Sequence, residues 1–400
     1  MIVRLAALAL ACGALPAAAL AHAAAQGEAA VDYRAAAQAL EPLINHRYAY
    51  PERLPGGRFV LSATLAAERD AVRDGRSLLA FTERALMLLA DHHAITGSSF
   101  ADSYALVPSY ADLWVEPRGG AYRITAVRPG SPAAMASVRE GPELVAVGGV
   151  PMADAVAAFW GGLGTTGSGE RDGFAARVLA AGRRDRVRDL TFRNPGDKAV
   201  RRRLVSLYDQ RVGTMPPVTL QNAAITPVIT INNALGDDAT IAAFDQPMLS
   251  VDPAAPIEID LTNTPGGGNT HVARGIMGWF AAAPTPYQRH ALPSAVRDTG
   301  IAREWLELVL PRPGVRRHSG QLTVRVGRWT GSMGEGLALG LGELGATVCG
   351  TKMAGLLGAV EDLPLGTADL TIKLPVERLM QVDGTPRETF ASPPCAQPRR

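Results

Sequence analysis

The chain has 400 residues and a mass of 42.0 kDa, with 47% apolar and 20% charged residues. That length exceeds what one hydrophobic core usually organises, and the composition excludes a disordered or collagen-like protein, so two or three folded domains are expected. Forty Lys and Arg against 38 Asp and Glu give a formal charge of +2, too balanced for a nucleic-acid surface or a strongly anionic partner.

Residues 1–25 open with Arg4, run apolar from Leu5 to Leu20 and end in Ala21-His22-Ala23-Ala24-Ala25. This is the pattern of a cleaved secretory signal peptide. Gly13 and Pro16 interrupt the run, which falls short of the roughly 20 strongly apolar residues of a bilayer span. The expected product is a periplasmic or secreted protein without stable membrane insertion. Cys12 lies in the leader, leaving Cys349 and Cys395. In an oxidising compartment these two either pair or stay apart; sequence carries no distance to decide it. No C-x-x-C spacing supports a structural metal.

Residues 26–110 are expected to form an N-terminal helical domain. Leu40, Leu43 and Ile44, then Leu78, Leu79, Phe81, Leu86, Leu88 and Leu89, recur at helical spacing, and Pro51 with Pro55-Gly56-Gly57 separates two or three helices. Residues 111–207 change to short β-prone runs, 122–127, 143–147 and 189–192, divided by Gly and Pro turns. From 208 to 400 strands alternate with helices, the signature of an α/β domain. The predicted strands are 228–231, 257–261, 322–326 and 347–349; the predicted helices lie near 239–244, 271–280 and 332–344. The Pro- and Arg-rich stretch 281–320 interrupts the alternation and reads as an insertion bordering the site.

Two motifs in the last segment carry chemistry. In Thr330-Gly331-Ser332-Met333-Gly334-Glu335 a strand ends in small residues and a serine just where a helix begins. A serine there is either a plain N-cap or an acyl-transfer nucleophile, since free N–H groups and the helix dipole stand beside it. In Asp260-Leu261-Thr262-Asn263-Thr264-Pro265-Gly266-Gly267-Gly268 a strand runs into three glycines. That is either a flexible turn or a set of unshielded N–H donors; the spacings of phosphate-binding loops are missing.

Together these motifs resemble peptidase family S41, the C-terminal processing and tricorn-type serine proteases. The family pattern D-L-R-x-N-x-G-G-G matches Asp260 to Gly268 with Thr262 in place of Arg, and T-A-S-A-S-E matches Thr330 to Glu335. The order Val127-Arg128-Pro129-Gly130-Ser131-Pro132-Ala133, then Glu143-Leu144-Val145-Ala146-Val147-Gly148-Gly149, resembles a PDZ domain. The resemblance implies a crotonase/ClpP-like α/β catalytic core behind an N-terminal helical region and a PDZ-like small β domain. It implies Ser332 as nucleophile and Gly266, Gly267 and Met333 as oxyanion donors. Gly119, Gly120 and Tyr122 would form a carboxylate-holding peptide loop. No cofactor or metal is implied, and the partner is a peptide or protein substrate, with oligomeric state open.

One branch of the family uses a lysine base, and the aligned position here is Leu356, which accepts no proton; Lys352 falls several residues early. Lys198, Lys352 and Lys373 are the only lysines. The other branch places its base in L-x-D-x-H, matching Leu89-Ala90-Asp91-His92-His93. The resemblance therefore implies His93 as base, with His92 the lesser candidate, and Glu388 as the carboxylate that orients it. Glu335, Glu361 and Glu377 compete for that last role, Glu335 reading as a first-turn helix carboxylate. The expected activity is a serine peptidase working through an acyl-enzyme. An inactive peptide-binding scaffold, or a hydrolase of a non-peptide ester, is the alternative.

Overall fold

Polar caps start the helices of the N-terminal region. Asp32 accepts from the Ala35 N–H ahead of the helix Tyr33–Arg47, Ser62 from the Leu65 N–H ahead of Ala63–Asp70, and Asp74 pairs reciprocally with Ser77 ahead of Gly75–Leu86. Each cap satisfies an N–H group that a helix start leaves without a partner. The prolines and glycines at 51–57 form short 3-10 turns between the first two helices. The computed structural model describes residues 31–208, 215–221, 226–232, 235–366 and 368–396; the expected leader, 1–25 with Cys12, lies outside them.

A six-stranded antiparallel sheet follows, in the order Leu113–Arg118, Ala121–Val127, Glu143–Val147, Arg188–Arg193 and Val200–Leu204, with Val150–Pro151 beside Glu143–Val147. Leu113–Arg118 is an edge strand, flanked by the helix Glu170–Ala181. The α/β part holds a sheet ordered Thr347–Gly350, Leu322–Val326, Ile257–Asp260, Val228–Ile231 and Val218–Gln221, parallel except for the last strand. Helices Ala239–Ser250, Thr270–Met277 and Met333–Glu343 complete it.

The cores do not follow the chain segments one for one. Leu40, Leu78 and Phe81 of the helices pack in one continuous core with Leu144 and Leu190 of the antiparallel sheet and with Ile372 and Leu374 near the C-terminus. A second core, with Ile229, Ile259, Val324 and Leu337, belongs to the α/β part.

The stretch 281–320, which the alternation leaves without a place, is ordered. Strands Thr285–Ala291 and Glu304–Val309 form a hairpin through the helix Pro293–Thr299, and Thr285–Ala291 pairs with Thr371–Met380. Farther toward the start of that long strand, Ile95 and Thr96 pair with Lys373 and Ile372, and the Gly97 N–H donates to the Thr371 carbonyl at 2.7 Å. The segment just after His93 is thereby tied to the C-terminal strand. Cys349 and Cys395 form a disulfide with Cα atoms 4.8 Å apart, fastening the tail to the strand Thr347–Gly350.

Candidate active site

Ser332 stands between the strand Leu322–Val326 and the helix Met333–Glu343. Its backbone has φ 54° and ψ −118°, a conformation that costs a non-glycine residue of order 1–3 kcal/mol and differs from the extended backbone of an ordinary N-cap. The turn before it is held against the glycine-rich segment. Asn263 and Thr264 pair in parallel with Trp329 and Thr330, the Gly331 N–H donates to the Thr264 carbonyl at 3.1 Å, and Thr330 Oγ1 donates to the Leu261 carbonyl at 2.8 Å. The glycines let the two segments come this close: a Cβ on Gly331 would stand 2.9 Å from the Pro265 carbonyl oxygen, and one on Gly334 would stand 3.0 Å from that of Thr264. A Cβ on Gly267 would meet Ser332 Oγ at 3.5 Å, so the glycine loop borders the hydroxyl on one side while Met333 begins the helix on the other.

The helical region supplies the histidine. Ala90, with φ 50°, turns the chain out of the last helical turn into Asp91-His92-His93. Asp91 accepts from the His93 N–H at 2.9 Å and from the Tyr48 hydroxyl at 3.0 Å, and burial pushes its carboxyl up to about 6. His93 Nε2 lies 3.0 Å from Ser332 Oγ, and Nδ1 lies 2.6 Å from the Leu357 carbonyl oxygen. A carbonyl only accepts, so the proton is on Nδ1 and Nε2 presents its lone pair to the serine hydroxyl. Burial pushes the imidazole down to about 4, the hydrogen bond to Leu357 opposes that, and the charge of Arg387 adds to it.

Ser332 and His93, 239 residues apart in the chain, are therefore brought together; the other expected residues fall as follows. Glu388 does not reach Nδ1, which the Leu357 carbonyl occupies; its Oε2 is buried with no hydrogen-bond partner among the described residues. The carboxylate expected at His93 is replaced by a carbonyl because the loop Gly355–Gly358 lies between the histidine and the C-terminal segment. His92 turns away, accepting from Arg177 Nε at 2.9 Å and lying against Phe174. Burial, then the Arg177 charge, keeps it far below the ordinary imidazole range. Glu361 pairs with Arg47 and Glu377 with His290. Lys373 pairs with Asp362, and Lys198 and Lys352 are exposed. Leu356 packs beside Gly331, where a Cβ would meet its Cδ1 at 3.3 Å.

Gly119 and Gly120 lie in a turn. With φ 58° and 76° they form the two-residue turn between Arg118 and Ala121, because a tight hairpin turn of the primed type demands positive φ at both positions. Tyr122 is in the strand beyond, opposite Pro117. Two cavities flank the histidine segment. One, of about 560 Å³, is bounded by Trp114 and Glu116 of the edge strand, Arg177 of the helix beside it, and Leu356 and Leu357. The other, of about 360 Å³, is largely apolar, with Leu86, Met87, Ala94, Val107 and Val178 in its wall.

The photosystem II D1 C-terminal processing protease is similar with a TM-score of 0.53 at 16% identity, over 92% of this chain and 93% of that one. Mature CPAF is similar with a TM-score of 0.55 at 16% identity, over 90% and 92% of the two chains. The chain has the S41 protease fold. No family model matches the sequence and no curated protein matches it, so the likeness resides in structure. In the S41 fold adopted here, the glycine-rich segment and the serine turn come from adjacent parallel strands, Ile257–Asp260 and Leu322–Val326. The glycine pattern and the L-x-D-x-H motif are the signals by which sequence alone reaches Gly267 and His93. The roles of Leu357 and Arg387 carry no such signal, since each acts through a contact made only on folding.

Proposed function

We propose that the protein is an exported serine peptidase acting on peptides or proteins, with Ser332 as nucleophile and His93 as base. The observation that carries this is the pairing of Ser332 Oγ with His93 Nε2 at 3.0 Å while Nδ1 is committed to a carbonyl. In the reaction the Ser332 proton passes to Nε2 as Oγ bonds the scissile carbonyl carbon. The oxyanion is held by the N–H groups of Gly267 and Met333, with Gly266 beside them. The Nε2 proton then goes to the leaving amine as the C–N bond breaks, and a water deprotonated by His93 hydrolyses the acyl-enzyme. The antiparallel sheet within 111–207 supports a PDZ-like reading, in which an extended peptide adds to the edge strand Leu113–Arg118 beside the 560 Å³ cavity. The leader and the disulfide support export to an oxidising compartment.

The test is labelling by an active-site fluorophosphonate, with loss of labelling in Ser332→Ala, and intact mass of the acyl-enzyme formed from a chromogenic ester. Wild-type protein that neither labels nor acylates would leave the inactive-scaffold reading. Turnover of small esters with no cleavage in a peptide library would favour a non-peptide substrate.

The acid limb of the reaction follows from His93. A base whose folded pKa is lowered to about 4 stays neutral and competent above that value and is lost only as pH falls through it. The expected kcat/KM for the chromogenic ester is level from pH 7 to 5 and falls about tenfold per pH unit well below 4. A limb centred on the ordinary imidazole value would mean that water reaches the ring.

A further inference from the structure

Glu335 is only 1% exposed although it sits in the first turn of the Met333–Glu343 helix. A carboxylate serving the helix dipole alone would face water; a buried one costs several kcal/mol unless donors surround it. Its donors come from two separate segments: the N–H of Ser332 at 2.9 Å, and those of Gly355 at 2.9 Å and Leu356 at 3.1 Å. Arg387, 3% exposed, faces the same loop from the C-terminal side. Its Nη2 donates to the Leu356 carbonyl at 2.9 Å and to that of Gly358 at 3.4 Å, and stands 4.0 Å from Glu335 Oε2. With the carbonyls of 356 and 358 turned to Arg387, the intervening carbonyl of Leu357 is turned the other way, onto His93 Nδ1.

We propose that Glu335 and Arg387 are the positioning pair of this site: through the Gly355–Gly358 loop they aim the Leu357 carbonyl that fixes the tautomer and orientation of His93, and through the Ser332 N–H they hold the nucleophile. They take over the geometric task that a carboxylate performs in a Ser-His-Asp triad, and neither touches substrate. The inference rests on the peptidase reading for its kinetics and not for its structural part. The charged and titratable groups around His93 are Asp91 and His92 in its own segment, Tyr48 and Tyr50 beside Asp91, Glu335 in the serine helix, and Arg387 and Glu388 in the C-terminal segment. Of these only Glu335 and Arg387 hold the loop that meets Nδ1.

The experiment uses the full mature chain with ¹⁵N-labelled histidine, wild type beside Glu335→Gln, Arg387→Met, Arg387→Lys and Glu388→Gln. Nitrogen shifts report the His93 tautomer without turnover, and thermal melting reports folding. Wild type is expected to show the Nδ1–H tautomer. Glu335→Gln and Arg387→Met should show mixed tautomers, with kcat lowered about 100-fold and KM within about threefold, the scale of a misplacement near 1 Å. Arg387→Lys, which keeps the cation and loses the fork, should recover part of kcat; it also decides the matter if the Glu335 variant does not fold. Glu388→Gln should keep the tautomer and lose less than about tenfold. An unchanged tautomer and kcat in Glu335→Gln and Arg387→Met overturns the proposal, as does a Glu388→Gln loss equal to theirs. A wild type that shows the tautomer but never acylates would sink the peptidase reading and leave the positioning result standing.

Discussion

Replacing Ser332 by alanine is expected to lower kcat by about five orders of magnitude, and replacing His93 by alanine by nearly as much, with the double variant no worse than either alone. The non-additivity follows from the geometry. Ser332 Oγ has the proposed base, His93, at 3.0 Å, and the other nitrogen of that imidazole is committed to a carbonyl, so removing either partner would remove the whole proton transfer. KM should change little, because neither side chain is assigned to holding the substrate before the bond is attacked. Activity left in each variant would come from the backbone donors and from binding. Single-turnover acylation on the same ester would check this; His93→Ala acylating as fast as wild type would show that another group takes the serine proton.

The largest effect on stability is expected at Arg188. Arg188 and Asp112 form a bidentate ion pair whose side chains are 2% and 0% exposed. Asp112 also accepts the Ala133 N–H at 3.0 Å, and Arg188 reaches the Val205 carbonyl at 2.9 Å. Arg188→Leu would leave the aspartate buried without its cation, a change that costs about 3–5 kcal/mol. Arg188→Leu with Asp112→Leu should recover much of the loss, since removing both charges removes the desolvation penalty, though the Ala133 N–H is then left without its acceptor. Urea unfolding of the three proteins would read this, and a single variant within 1 kcal/mol of wild type, about the value of an exposed pair, would mean that water enters the site. The pair also bears on the candidate site: the Ala111 carbonyl, next to Asp112, accepts from Trp329 Nε1 at 2.8 Å, and Trp329 precedes the serine turn.

Much of the fold was legible along the chain because its causes are local. The helical spacing of Leu40, Leu43 and Ile44, the break at 51–57, and the alternation of strands and helices after 215 depend on neighbours a few residues apart. The stretch 281–320 was illegible for the opposite reason. Its strand Thr285–Ala291 pairs with Thr371–Met380, and nothing in its own proline- and arginine-rich composition announces a partner that far along the chain. The Gly119-Gly120 pair forms a tight turn, and its residues alone do not separate that requirement from a ligand loop, since glycine meets both needs.

The candidate site divides along the same line. The sequence by itself determined where groups of the right chemistry lie: a serine at a strand-to-helix turn, a glycine loop able to approach it and, through the family resemblance, a histidine as the candidate base. It also determined that none of the three lysines stands at the lysine branch's position. What only the tertiary structure decided is what stands behind the histidine. Glu388 was expected from the family resemblance, yet the acceptor at Nδ1 is a backbone carbonyl, a group every residue owns and no motif can single out. Its direction depends on Glu335 and Arg387, from two segments of the chain, gripping one loop from opposite sides. Such a contact has no local cause, because it exists only when hydrogen-bonding groups distant in sequence are buried together and must satisfy one another.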